Sequence, residues 1–194
     1  MILLYQIAGP ILVVLWAVIH FAINHRVVSK NPGYHSTRIG WDDKFPFMPA
    51  FVIPYLSGYL LSVLAYFAFV SSPYLPRVTF GYVLLMVIGA LSYIVYPCKV
   101  ERRENLEGTT LATKLLAIFQ RTFEPYNSFP SMHVGFSLFS ALFILILGDV
   151  TLGVIALLWT VLVAASTLFT KLHHFLDIVA GVILALFVTF LVLP

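Results

Sequence analysis

The stretch FLDIVAGVILALFVTFLVL, residues Phe175–Leu193, is apolar throughout except for Asp177 near its start and Thr189 near its end. A run of ~20 such residues, wound as a helix, matches the thickness of a bilayer core. A helix of a soluble domain would carry a polar face opposite its apolar stripe, and this one has none. Read backwards from there, the chain holds five more stretches of the same kind: Thr151–Phe169, Ser131–Leu147, Val78–Pro97, Ala50–Val70 and Leu4–Ile23. The reading is an all-α fold, a polytopic membrane bundle of six transmembrane helices forming one domain over residues 1–194.

Composition agrees with this. Of the residues, 61% are hydrophobic and 10% charged, and the mean hydropathy is +0.99. A soluble domain of this length needs far more polar surface. The first stretch has neither a basic segment before it nor a small-residue cleavage pattern after it, so it is expected to remain as a span. Cys98 is the single cysteine, which excludes an internal disulfide and any multi-cysteine metal site. A net charge of +3 and a pI near 9.0 point to anionic lipid headgroups and phosphate ligands, with no nucleic acid partner expected.

The polar residues are unequally divided between the two faces. Ten of the eleven basic residues fall in loops on one side: Arg26, Lys30, Arg38, Lys44, Lys99, Arg102, Arg103, Lys114, Arg121 and Lys171. Arg77 stands alone on the other. Seven of the eight acidic residues share the basic side, with Asp149 the exception. Chemistry is therefore expected at that face. Two loop segments look structured. Asp42–Pro49 holds two prolines just before the second span, where proline suits a helix start. Thr109–Phe119 puts Leu111, Leu115, Ile118 and Phe119 near one side at helical spacing, which reads either as an interfacial amphipathic helix or as ordinary loop packing.

Three clusters on that face carry reactive side chains. Tyr126-Asn127-Ser128-Phe129-Pro130-Ser131-Met132-His133 opens the fourth span, with Pro130 suited to its first helical position. The free N–H groups of a helix start, with the Ser131 hydroxyl, make an anion site. His133 then projects from the first turn and can donate a proton to an oxygen leaving a phosphate. Lys171-Leu172-His173-His174-Phe175-Leu176-Asp177 opens the sixth span. His173 and Asp177 are four apart and would share a helix face. The carboxylate can bind one ring nitrogen and leave the other nucleophilic. Lys171 can hold a phosphate oxygen as a point charge. Tyr96–Arg103 follows the third span and offers Lys99, Arg102 and Arg103 as further phosphate ligands. His174 reads as structural or solvent-facing, and His20 as a satisfied core or interface residue. Arg103, Lys114 and Arg121 suit lipid headgroups as well as substrate. Glu101, Glu104, Glu107 and Glu124 read as solvated loop charges.

At these residues the chain resembles the type 2 phosphatidic acid phosphatase superfamily, which is related to the vanadium haloperoxidases. The family's second motif, Pro-Ser-x-His, is intact as Pro130-Ser131-Met132-His133. Its third, Ser-Arg-x5-His-x3-Asp, corresponds to Ser166-Thr167, five residues, His173, three residues and Asp177, with threonine in place of arginine. Lys171, four residues after Thr167, could restore that charge on the same helical face. The first motif, Lys-x6-Arg-Pro, is degraded to Lys99 and Arg102 or Arg103. The core of the likeness runs over residues 92–181. It implies that His173 is a nucleophile forming a phosphohistidine, Asp177 its orienting partner and His133 the general acid. Ser131, Lys171, Arg102, Lys99 and Arg103 would bind the phosphate, with no metal and no cofactor.

The resemblance implies a membrane lipid phosphatase acting on a lipid phosphate monoester or diphosphate, in contact with membrane lipids. The His173–Asp177 run and the stretches Phe45–Pro49 and Ile53–Ser57 also resemble the inositol phosphorylceramide and sphingomyelin synthases. That likeness implies transfer of a headgroup to a lipid alcohol. A catalytically silent lipid-binding or transport protein is the reading from another class. The location read is an integral protein of a bacterial cell membrane. Charge counting puts the active face in the cytoplasm, whereas the family likeness puts it on the periplasmic side.

Overall fold

The computed structural model describes residues 2–28, 33–103, 106 and 108–194. Lys30, Glu104 and Glu107 lie outside the described residues. Among the described residues seven α-helices follow one another: α1 (Ile2–Ala22), α2 (Val52–Ala68), α3 (Leu75–Val95), α4 (Leu111–Thr122), α5 (Met132–Leu147), α6 (Val150–Phe169) and α7 (Phe175–Val192). A π-helical turn, Ile23–Val28, extends α1, and a 3-10 turn, Pro49–Phe51, leads into α2. Five helices are long and apolar enough to cross a membrane, and α5 is a shorter apolar helix of 16 residues. The fold is thus an all-α polytopic bundle. Leu91, Val161, Phe187 and Phe190 stand exposed on its perimeter, as lipid-facing side chains do.

Helix ends are set by local chemistry. Pro49 and Pro76 sit in first turns, where a missing N–H costs nothing. The Asp149 carboxylate caps α6 by accepting from Leu152 N–H at 2.9 Å. Arg77, the lone cation of its face, donates to the Val192 carbonyl at 3.0 Å and so neutralises the negative end of α7. The two isolated charges of that face therefore serve helix ends.

The short helix α5 is the axis of the bundle, packed by α2, α6, α7 and α3. Met132, Val134, Phe136, Phe139 and Phe143 are all buried, so α5 meets helices rather than lipid along its length. Lipid gives no hydrophobic drive to helix association, so close contact and internal hydrogen bonds must hold it. Ser137 Oγ donates to the Gly58 carbonyl at 3.2 Å, Tyr82 and Ser140 share a 2.7 Å bond, and Ser140 reaches Ser62 at 3.3 Å. Gly181 of α7 lies against the start of α5, where a Cβ would fall 2.5 Å from the Ser131 carbonyl oxygen.

The polar loops gather at the end where α2, α5 and α7 begin. Isolated bridges join His35 to Cys98 and Cys98 to Asn127. Lys99 N–H donates to the His35 carbonyl and Val100 N–H to the Pro125 carbonyl, both at 2.9 Å. Segment 37–48 lies as a strap over the α6–α7 turn: Met48 N–H caps α6 at the Phe169 carbonyl (2.8 Å), and the Asp42 carboxylate accepts from Phe175 N–H at 2.7 Å. The amphipathic segment is a true helix, α4, capped by Thr110. Its inner face differs from the expectation, however. Leu116 is fully buried against Val52, Tyr55 and Leu172, and Leu115 and Phe119 pack beside it, whereas Leu111 and Ile118 are exposed. The helix is turned by about one residue, the ~100° that separates neighbours.

The contact between α5 and α7 has no room for a methyl group. Gly181→Ala should lower the thermal stability of the detergent-solubilised protein by about 1–3 kcal/mol, because backbone must shift. Gly40→Ala, with nothing within 4 Å of its Cβ, should leave the melting temperature unchanged.

Candidate active site

The α6–α7 connection decides where the reactive groups stand. α6 ends at Phe169, and Lys171 adopts a left-handed conformation with φ 55°, a region sparsely used by side-chain-bearing residues. Leu172 and His173 N–H both donate to the Thr167 carbonyl, at 3.1 and 3.3 Å. α7 begins only at Phe175, with His174 as its cap. His173 and Asp177 therefore do not share a helix face. They meet because the turn folds His173 back over the first turn of α7, leaving Nδ1 3.4 Å from the Asp177 carboxylate. The closer partner of Nδ1 is the Ser128 carbonyl at 2.9 Å. A carbonyl only accepts, so Nδ1 carries the proton and Nε2 of the neutral ring keeps its lone pair.

Asp177 is fully buried and well satisfied. Its carboxylate accepts from Thr37 Oγ at 2.6 Å and from His174 N–H at 2.9 Å. Since the Thr37 proton goes to the carboxylate, His174 Nδ1 must be the donor in its 3.0 Å bond to Thr37 Oγ. The Asp177 carbonyl accepts from Ser131 N–H at 2.9 Å. One residue thus ties the start of α7 to the start of α5 and to the strap.

At the start of α5 the structure shifts one expectation. Ser131 is the cap and Met132 the first helical residue, so Pro130 stands before the cap instead of at the first helical position. His133 lies in the first turn. Its ring is held between Tyr55, at 3.9 Å and 28°, and Tyr59, at 4.4 Å. Its centroid is 5.9 Å from that of His173. His133 Nε2 and Ser131 Oγ are buried with no hydrogen-bond partner among the described residues. A buried polar atom without a partner is costly in a finished fold, so both are suited to a ligand's oxygens.

Two cavities meet here. A large one of about 1030 Å³ runs between α1, α2, α3 and α5, with Trp16, Phe21, Tyr59, Tyr66 and Met86 on its walls. A smaller one of about 270 Å³ is lined by Arg38, Asp42, Arg103, Lys171 and His174 among others. His173 and Arg102 line both, whereas His133 lines only the large one. This separates an apolar compartment from a polar one across His173.

The cations divide accordingly. Arg102 is pulled below the usual arginine range by burial. Its guanidinium donates to the carbonyls of Gln120 (3.3 Å), Phe123 and Glu124 (3.2 Å), with Nε unpartnered among the described residues. Lys171 donates to the Asp42 carbonyl at 2.7 Å. It cannot share a helical face with Thr167, because the helix has already stopped. Arg103 stacks over Phe47 at 5.1 Å. Lys99 sits over Tyr126 at 5.8 Å and lines neither cavity. Arg38 is paired with Asp43 and Glu101, both at 2.6 Å.

Sequence reasoning missed Thr37, Asp42, Tyr55 and Tyr59 as parts of this site. Asp42 had a weak signal in its structured, proline-bearing segment. A lone threonine in a polar loop had none. His174, read as structural, does cap α7 and is buried against Thr37.

The model of a family described as the PAP2 superfamily matches residues 50–191. No curated protein and no solved structure matches the chain.

Desolvation holds the His174 imidazole below its ordinary value of 6.5. The unfolded chain then binds the extra proton first as pH falls. The stability tied to neutral His174 is complete above that value and is lost as pH drops toward the lowered, folded-state value. Thermal unfolding followed between about pH 8 and pH 5 should show this decline, and His174→Asn, which keeps a donor to Thr37 but cannot titrate, should flatten it.

Proposed function

Because the chain belongs to the PAP2 superfamily, we propose that it hydrolyses a lipid phosphate monoester or diphosphate through a phosphohistidine on His173. The observation that carries this reading is a pair of imidazoles 5.9 Å apart, one with its Nδ1 proton fixed on a carbonyl and the other with a buried, unpartnered Nε2. At that spacing both rings can reach one phosphoryl group.

The lone pair of His173 Nε2 attacks phosphorus, and the bond from phosphorus to the lipid oxygen breaks. His133, as imidazolium, gives its proton to that leaving oxygen, releasing the lipid alcohol from a monoester or the lipid monophosphate from a diphosphate. The negative charge of the arriving phosphate favours the imidazolium. Water then attacks phosphorus, now-neutral His133 takes its proton, and the P–N bond breaks to free inorganic phosphate. Asp177, through its 3.4 Å contact, stabilises the positive charge that His173 gains. Arg102 and Lys171 are suited to the phosphoryl oxygens from the polar compartment, and Ser131 from the start of α5. The apolar compartment suits the lipid tail. His133 lines that side only, which is where the leaving alcohol must be protonated.

The same large cavity is wide enough to suggest a second reading, transfer of the phosphoryl headgroup to an acceptor lipid alcohol in place of water. Product analysis separates the two: free phosphate for hydrolysis, a new headgroup-bearing lipid for transfer. Purified protein should release phosphate from a panel of lipid phosphates. His173→Ala should abolish release, and His133→Ala should slow it by about 10²–10⁴-fold. Failure of every lipid phosphate and phosphodiester to turn over defeats both readings in favour of a silent, lipid-binding protein.

We also put the active face on the non-cytoplasmic side, against the count of cations. Supporting this, Arg38, Arg102 and Lys171 are engaged by the protein's own carboxylates or carbonyls, so their presence in these loops has a structural reason. A reporter fused after Pro194, beyond the far end of α7, should then report from the cytoplasm.

A further inference from the structure

We propose that His20, on α1, is a substrate-binding residue that donates its Nδ1–H to an oxygen in the backbone of the lipid, next to the phosphate ester. It would make the site selective for lipid phosphates whose backbone carries an ester, amide or hydroxyl oxygen, over those whose chain is hydrocarbon alone. This rests on the phosphatase reading above.

Hydrogen bonds around His20 fix its tautomer. Asn24 Nδ2 faces the Glu124 carbonyl at 2.9 Å, which can only accept. The same nitrogen donates to Asn127 Oδ1 at 2.9 Å. The Asn127 amide nitrogen is therefore the end turned to His20 Nε2, 2.5 Å away. His20 Nε2 must accept, so the neutral ring carries its proton on Nδ1. That Nδ1 is buried and has no partner among the described residues. The ring itself is braced by Trp16 at 5.3 Å, Tyr93 at 5.6 Å and Phe123 at 6.3 Å. Two segments far apart in sequence, residues 20–24 and 124–127, thus fix a tautomer whose free end is a donor, and among the described residues that donor has nothing to bind.

Its place in the cavity says which oxygen. His20 lines the large apolar cavity together with His133 and His173, but not the small polar one. His173 and Arg102, at the junction, mark where the phosphate's charge belongs. Tyr93, which touches His20, also donates to the Pro130 carbonyl at 3.3 Å, so His20 stands level with the start of α5. Around it are Trp16, Phe21 and Phe123, apolar groups that suit the first carbons of a lipid and not a dianion. A neutral donor in that setting fits a neutral acceptor oxygen.

The test compares kcat and KM of the purified protein on dioleoyl phosphatidic acid, ceramide 1-phosphate and a polyprenyl monophosphate. Variants are His20→Leu, His20→Gln and His20→Asn. Asparagine puts its amide near the position of Nδ1, whereas glutamine reaches toward Nε2. His20→Leu and His20→Gln should raise KM by about five- to tenfold on the oxygen-bearing lipids. Polyprenyl phosphate should stay within about twofold, and His20→Asn should keep most of the preference. Loss on phosphatidic acid alone assigns the oxygen to an acyl ester, and loss on ceramide 1-phosphate alone to the amide or hydroxyl. Equal loss on every lipid, no loss on any, or the same effect from asparagine and glutamine overturns the proposal while the phosphatase reading stands. No phosphate release from any lipid by the unsubstituted protein overturns that reading and this inference together.

Discussion

A carboxylate with no exposure to solvent must find all its hydrogen bonds inside the protein, and Asp177 imposes that demand on the rest of the structure. Its two oxygens take a threonine hydroxyl from the strap and a backbone N–H from the cap of its own helix. Its carbonyl takes the N–H that begins α5. Three segments distant in sequence, the strap, the start of α5 and the start of α7, are fixed relative to one another by a single residue. If the carboxylate were solvated, none of these contacts would be obligatory. A buried charge is weak as a source of stability, but removal of any one of its partners leaves it uncompensated. The site's geometry is therefore cooperative: strap, cap and both helix starts are kept or lost together.

That geometry divides space as well as positioning atoms. His173 and Arg102 stand where a broad apolar cavity meets a small polar one. Phosphoryl transfer at a membrane has to bring together a group that belongs in water and a chain that belongs in hydrocarbon. Strengthened electrostatics in a low-dielectric setting favour the reaction only if the charges present are already paired. Here the cations near the junction are held by carbonyls and carboxylates rather than left free. An incoming phosphate would thus meet oriented N–H groups instead of loose side chains that must be reorganised.

The bundle was legible because its signal is simple. Long apolar runs have one stable form in lipid, so the helices fell within a few residues of expectation. Even α5, too short for a full span by length, was visible as an apolar run. Its central place was not, since an apolar helix against protein and one against lipid have the same composition. The reactive histidines and Asp177 were legible as types and spacings. The reason they meet was not: a helical i, i+4 argument placed His173 beside Asp177, whereas a left-handed Lys171 and a late helix start do so in fact. Lys99, suggested by its charge and by the degraded first motif, sits over a tyrosine ring, because a cation's partner depends on loop packing that no short pattern encodes. Thr37, Tyr55 and Tyr59 were invisible for the same reason.

The strap and α1 lie before residue 50, where the match to the family begins. Yet the strap supplies Thr37 and Asp42, and α1 supplies one wall of the large cavity with His20 on it. Part of the surface around the reactive groups therefore comes from outside the matched segment. A nucleophile, an acid and an orienting carboxylate fix the class of reaction, because their roles are set by proton positions over a few ångströms. Which lipid reaches them is set by the walls, and one of those walls, α1, lies outside the segment that the shared pattern covers. Differences in substrate among proteins with the same core should then be sought in segments like these as well as in the shared helices, and the proposed role of His20 is one instance.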